Sequence, residues 1–543
     1  MSSSSSGSPA STRSPSAPTS DKVPVIQKVG YGLGTVIDMW GHWLYPSLAY
    51  LVFNITLGVP PQWIGRAMLF KLIFEAVWDS YFGWRSDNTR TRYGRRRPYI
   101  LIGGILSGIG LPLVFAVSPG WGDSTIAGMV VPNYFWFMIS TLALYVPVIS
   151  CFNMPFQSLG AELTPDYHER TSVFSYKSAI QKVPEVAMFA AGAFATAGVW
   201  VGATWDNALS RVLTLGGQTL GWFGDVLGSL LTFDFVRFAD VINPIFGWVA
   251  APEGQATNTV LGAQVFCILL GLVMIGTAVL MFFTIKERYY QSLVVDRKQG
   301  QISIKETLWQ TLQCRPFRAN LGMALSYGIG TSMVGTLGYY ATFYFVCAGD
   351  VAVGSVWNFW MGLAGMVLGV FGIPVYAAIA RRKGKRFAMG CVQVSGVAVF
   401  VSTWWLYTPA IPWLQVLASG MIAFVAGGFW MLYGSIGADI IDCDEVETGK
   451  RREGAFSACG SWIMKVGMAV GAWAAGELLN FTGFDQALGG NQTPQAIFWI
   501  RFLLAAIPIT GLIFAMICLA RYGLNQEKIA DIRRQLEARR GAV

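Results

Sequence analysis

The feature that most constrains this chain is a series of twelve apolar runs, separated by polar connections, near residues 30–54, 63–85, 98–118, 131–159, 173–200, 259–285, 316–346, 354–381, 387–408, 412–440, 454–481 and 494–520. An apolar run of about 20 residues spans the hydrocarbon core of a bilayer as a helix. Open strands are excluded, because their backbone N–H and C=O groups would be left unpaired in lipid. Composition agrees: 54% of residues are hydrophobic and 13% charged, against about 25% charged in soluble proteins. With so little polar surface, lipid must be the solvent for much of the chain. The 62 Gly and 21 Trp suit close helix approach and interfacial anchoring respectively.

Orientation follows from the basic residues. Alternate connections hold Arg85 to Arg97, Arg170, Lys286 to Arg318, Arg381 to Arg386 and Lys450 to Arg452, and both termini are basic. The intervening connections hold only Arg211 and Arg237, with Arg66 and Arg501 near the outer ends of runs. Lys and Arg are retained on the cytoplasmic side, so both termini are expected in the cytoplasm with an even number of spans. The same placement accounts for the net charge of +9 without nucleic acid. Cys151, Cys267, Cys391 and Cys518 lie inside apolar runs with no paired spacing, which fits neither a disulfide framework nor a metal site. The two histidines, His42 and His168, form no recognisable ligand motif.

The expected organisation is a Ser/Pro-rich disordered tail (1–22), a six-helix bundle (23–285) with an outer insertion (201–258), a charged cytoplasmic connection (286–318), a second six-helix bundle (319–521) and a cytoplasmic tail (522–543). Both halves carry a basic turn after their second helix, Arg92 to Arg97 and Arg381 to Arg386, a weak internal repeat typical of two-halved transporters. Within the insertion, Trp222 to Val241 reads either as an amphipathic helix on the outer face or as an insertion with no direct role.

Ionisable residues inside a bilayer are costly and mark functional sites. Lys71, Glu75 and Asp79 recur at i, i+4 and i+8, hence on one face of the second span. Two carboxylates on one face can hold Na⁺ or a proton; alternatively Lys71 neutralises Glu75 and the pair is structural. Lys465, deep in the eleventh span, has no partner nearby in sequence, so its partner must come from another helix, with Glu75 and Asp79 the candidates. The stretch from Asp79 to Pro98 combines Gly83, Asp87, Gly94 and the arginines Arg92, Arg95 and Arg96. It reads either as a charge-assisted gate at the cytoplasmic helix ends or as a positive-inside anchor. No enzyme signature is present: the Gly30 to Gly34 glycines have the wrong spacing for a dinucleotide loop, and there is no phosphate-binding Gly/Lys motif.

With these passages the sequence resembles the glycoside–pentoside–hexuronide:cation symporters of the major facilitator superfamily. Tyr31 to Gly34, Gly160 to Thr171, and Ala438 to Asp442 with Glu447 to Gly454 match the family in the expected order, over about residues 28 to 530 except 201–258. The resemblance implies an all-α membrane protein with twelve transmembrane helices in two six-helix halves, no enzymatic activity and no cofactor beyond a coupling Na⁺ or H⁺. It places the cation at Asp79 and Glu75, with Lys465 connecting cation and solute sites. Asp38, one position short of the family's spacing from Tyr31, is the implied sugar-hydroxyl acceptor. Asn153 stands where a relative has a carboxylate and Gln157 where it has a Trp; Lys177 lies near the family's sugar-contacting Arg. Trp462, like Trp40 and Trp43, offers a stacking face or ordinary packing. Asp439, Asp442 and Arg452 join Gly83, Asp87, Arg92, Arg95 and Arg96 as gating candidates.

The expected function is cation-coupled symport of a sugar or glycoside by alternating access, by a monomeric multi-pass protein of the plasma (inner) membrane. Its partners are a small solute, a monovalent cation and the bilayer. Two rivals are transport of an amphiphile such as a lysolipid and a non-transporting sensor or scaffold.

Overall fold

A computed structural model describes residues 23–89, 91–126, 128–163, 167–218, 257–286, 312–448, 453–485, 488–524 and 526–540. Among them are twelve long helices: α1 Val25–Ala49, α2 Pro61–Asn88, α3 Arg97–Leu113, α4 Asn133–Glu162, α5 Tyr167–Ala195, α6 Thr259–Thr284, α7 Arg315–Tyr340, α8 Val351–Lys383, α9 Lys385–Leu406, α10 Trp413–Thr448, α11 Glu453–Phe481 and α12 Pro494–Ala520. A polar helix, α13 (Gln526–Arg540), follows and packs Ile529 and Ile532 against the second half. Proline enters α2, α3, α7 and α12 in the first turn, where no N–H is needed. Asn258, Asp350 and Thr493 cap α6, α8 and α12 with side-chain oxygens.

The apolar runs predict the helices well and their ends less well. The third helix stops at Leu113, not 118, just after Pro112. The fifth runs Tyr167–Ala195, not 173–200, and the tenth continues past 440 to Thr448. Six helices (α4, α6, α8, α9, α10 and α12) are long and apolar enough to cross a membrane on length and composition alone. Of the other six, α3 has 17 residues, and α2 and α11 carry Lys71, Glu75, Asp79 and Lys465. An antiparallel hairpin, β1 Asp123–Ile126 with β2 Met129–Pro132, precedes α4 where the fourth apolar run was expected to begin. Of the insertion, residues 201–218 and 257–258 are described; Trp222 to Val241 lies outside the described residues.

The two halves repeat in detail. Both α1 and α7 pass into a π-helical turn, Tyr50–Thr56 and Ala341–Val346. The basic turns after α2 and α8 each contain a glycine with positive φ, Gly94 (107°) and Gly384 (86°), a conformation that excludes most side chains.

The halves close on each other at the end of the bundle remote from the start of α1. There, Gly65 of α2 and Gly476 of α11 bring their backbones together: a Cβ on Gly476 would lie 2.8 Å from the Pro61 carbonyl oxygen. Arg66 pairs with Glu477 at 2.9 Å, the Tyr340 hydroxyl donates to Asn54, and Phe189 of α5 fills the space beside Gly362 of α8. At the opposite end of α2, a Cβ on Gly83 would meet nothing within 4 Å.

Candidate functional site

Midway along the bundle lies a cavity of about 690 Å³, within the range of roughly 300–1,000 Å³ usual for small-molecule sites. Helix α1 contributes Asp38, His42 and Trp43, α2 Lys71 and Glu75, α4 Asn153 and Gln157, α7 Thr331 and Ser332, α10 Trp430 and α11 Lys465. It is therefore built from both halves. Trp43 and Trp430 line it with aromatic side chains and Thr331, Ser332 and Thr336 with hydroxyl-bearing ones, a mix of flat apolar and hydrogen-bonding groups that suits a sugar-like solute.

The charged wall follows the i, i+4 spacing of α2. Lys71 donates to Glu75 Oε2 at 2.9 Å, both side chains being almost fully buried. Lys465 reaches across from α11 and donates to Glu75 Oε1 at 3.1 Å and also to Asp79 Oδ2. The partner that sequence reasoning left open between Glu75 and Asp79 is thus both. Glu75 is held by two ammonium groups at once, so the structural Lys71–Glu75 pair and the Lys465 bridge coexist.

The solute candidates form a second group. Gln157 donates through Nε2 to Asp38 Oδ2 (3.0 Å) and to Asn153 Oδ1 (3.2 Å) and accepts at Oε1 from Lys177 (2.8 Å). Asp38 therefore shares this group despite its one-residue offset. Lys177 also lies over the rings of Tyr31 and Phe156. Trp40 is spoken for by packing, its indole N–H donating to the Pro184 carbonyl at 2.8 Å.

The two groups are joined by a residue that sequence reasoning set aside. His42 Nδ1 is 2.9 Å from the Asp38 carbonyl oxygen, and Nε2 is 3.2 Å from Asn153 Nδ2 and 3.5 Å from Glu75 Oε1. Far from standing apart, it touches both the solute amides and the carboxylates. The visible signal was its i, i+4 spacing from Asp38, the same spacing that links Lys71 to Glu75.

The gating candidates are less concentrated. Arg92 stacks on its neighbour Tyr93 and Arg96 is buried. Asp439 is buried and accepts from Lys385 at 2.6 Å, a contact between α9 and α10 inside one half and not between halves. Asp442 is half-buried on the same helix. Arg452 and the side chains of Asp87 and Trp462 lie outside the described residues.

Comparison with known proteins agrees with this architecture. The family described as MFS/sugar transport protein matches residues 26–526. An uncharacterised symporter of Synechocystis sp. is 24% identical, with 96% of this chain and 98% of that protein covered. An inner membrane symporter of Escherichia coli is 24% identical (95% and 96% covered), and the isoprimeverose transporter of Lactiplantibacillus pentosus 22% identical (89% and 86%). Among solved structures, a bacterial homologue of the human lysosomal transporter Spinster, in an inward-facing, unoccupied conformation, superposes with a TM-score of 0.58 at 12% identity (94% and 97% covered). A D-xylose–proton symporter gives 0.53 at 12% identity (90% and 96%). The family match over nearly the whole chain, the major facilitator fold of these neighbours and the apolar helices lead to one conclusion: this multi-pass membrane protein belongs to the MFS/sugar transport protein family.

Proposed function

We propose that this protein is a secondary transporter that moves a sugar or glycoside together with a monovalent cation, Na⁺ or H⁺, by alternating access. The observation that carries this reading is the continuity of the site. A series of polar contacts runs from Lys177 through Gln157, Asn153 and His42 to Glu75, Lys465 and Asp79, all of them hydrogen bonds except the 3.5 Å approach of His42 Nε2 to Glu75 Oε1. Solute hydroxyls meet Asp38, Asn153 and Gln157 at one end of it, and the cation acts on the carboxylates at the other. Lys465, the one member from the second half, transmits the state of the carboxylates to the opposing bundle. In this reading all twelve helices span the inner membrane, both termini are cytoplasmic and the monomer suffices. The structure is then the state closed to the outside, the basic turns and Asp439 serving the cytoplasmic gate.

The test is uptake by the purified protein in proteoliposomes. Melibiose, raffinose, D-xylose and D-glucuronate are offered separately under Na⁺, Li⁺ and proton gradients, with a lysolipid as competitor. Asp79→Asn is expected to abolish cation-driven uptake while the protein still reaches the membrane. Normal cation-dependent accumulation by that variant would rule the cluster out.

A further inference from the structure

A second space, of about 1630 Å³, opens on the flank of the second half where α9 and α12 meet α13. It exceeds the roughly 300–1,000 Å³ usual for small-molecule sites, and the transport reading makes no use of it.

Its two ends differ. The mouth lies at the basic turn between α8 and α9 and at the start of α13, where Lys383, Lys385, Arg386 and Arg534 stand against Asp439 and Glu527. Lys385 is taken by Asp439 at 2.6 Å and Arg534 by Asp531 at 2.7 Å. Lys383 and Arg386 make no ion pair among the described residues. The Lys383 ammonium lies over the Phe387 ring, and Arg386 donates to the Ala520 carbonyl oxygen at 3.1 Å, one use of a guanidinium with five N–H donors. Gly384, the N-cap of α9, has no side chain to satisfy the first-turn N–H groups, which favour an anion. Tyr522, 2% exposed, lines the same end, and its buried hydroxyl has no hydrogen-bond partner among the described residues. Such a group is costly to leave unpaired, and a phosphate oxygen can accept from it.

Beyond the mouth the walls are apolar. Phe387, Val394 and Ala398 come from α9, and Met516 and Leu519 from α12. From 387 to 398 the helix rises about 16 Å, close to one leaflet of a hydrocarbon core about 30 Å thick. Gly390 keeps the trough open: a Cβ there would find only Leu519 Cδ2 within 4 Å, at 3.9 Å.

We propose that this groove holds an anionic phospholipid of the leaflet that the basic turns face. Its phosphate sits among Lys383, Arg386 and Tyr522, one acyl chain lies along α9 and α12, and α13 forms the outer wall of the headgroup site. Cations at one end of an apolar trough one leaflet deep match a lipid in both charge and length. An acidic peptide laid in the same trough would leave backbone N–H and C=O groups unpaired. The proposal does not depend on which solute or cation is carried.

The full chain, purified and delipidated in mild detergent, is titrated with phosphatidylglycerol and with phosphatidylcholine of the same acyl chains, and bound molecules are counted by native mass spectrometry. One phosphatidylglycerol is expected to bind more tightly than phosphatidylcholine. Lys383→Gln/Arg386→Gln is expected to weaken that lipid by about thirtyfold, each basic contact to an anionic lipid contributing about fivefold, and to leave phosphatidylcholine unchanged. Gly390→Phe fills the trough and is expected to weaken both lipids, with circular dichroism checking its fold. Lys383 and Arg386 are exposed, so the double variant decides should the Phe variant misfold. Equal affinity for the two lipids, an undiminished preference in the double variant, or unchanged binding to a folded Gly390→Phe overturns the proposal. Displacement of the lipid by inorganic phosphate or by a glutamate-rich peptide at equal concentration would mark a free-anion or a protein-docking site, and overturns it too.

Discussion

Exchanging Lys71 for methionine leaves the almost fully buried Glu75 with one ammonium partner in place of two. At an effective dielectric of about 20, a pair 2.9 Å apart contributes about 6 kcal/mol of Coulomb attraction. Dehydrating the ammonium offsets part of that, and breaking one partner out of a buried pair typically costs about 3–5 kcal/mol. Glu75 keeps Lys465 at 3.1 Å, so Lys71→Met should fall at the lower end, about 3 kcal/mol. The double variant Lys71→Met/Glu75→Gln removes both charges of the pair and should recover most of the loss, a coupling of about 2 kcal/mol. Denaturation in mild detergent, followed by tryptophan fluorescence, measures the three variants against wild type. The reasoning is refuted if Lys71→Met is as stable as wild type, or if the double variant costs the sum of the two single ones.

Two further predictions concern the closed end. Gly476→Leu puts a side chain against the Pro61 carbonyl and the Gly65 backbone, so the variant should favour the state open at that end. A cysteine introduced at Ser332, with the eight native cysteines replaced, should then react faster with an impermeant maleimide added outside; unchanged labelling would contradict the reading. Tyr340→Phe removes the hydroxyl that donates to Asn54, a loss of about 1 kcal/mol from the closed state. It should raise the same labelling rate by roughly fivefold, and a rate at or below wild type would argue against the contact as a latch.

Much of the site was legible because helical spacing converts directly into contact. The i, i+4 steps from Lys71 to Glu75 to Asp79 place three charges on one face, and the structure finds them there. Lys465 was recognisable as needing a distant partner, since a cation deep in an apolar run must be paired. His42 escaped because its meaning lies in Asn153 and Glu75, which are close only after α1, α2 and α4 pack. The hairpin from Asp123 to Pro132 falls almost wholly in the connection between the third and fourth apolar runs, where no element was expected, although Gly120, Gly122 and Gly128, all at positive φ, mark its turns. The π-helical ends of α1 and α7 leave no periodic signature, because the residues continue the same apolar run on either side of the change in winding.

Those two ends have a geometric consequence. Tyr50 immediately follows the 25 residues of α1, and Tyr340 is the last of the 26 residues of α7, so the two tyrosines occupy the same position in each half. They also touch, edge to face, with ring centroids 6.1 Å apart. Equivalent residues of two parallel repeats can meet only beside the pseudo-twofold axis that relates them. Points on an axis are unmoved by rotation about it, so the Tyr50–Tyr340 separation is blind to twisting of the bundles and responds only to their parting. A single spectroscopic ruler between these two positions would therefore read the opening of the whole carrier as one coordinate.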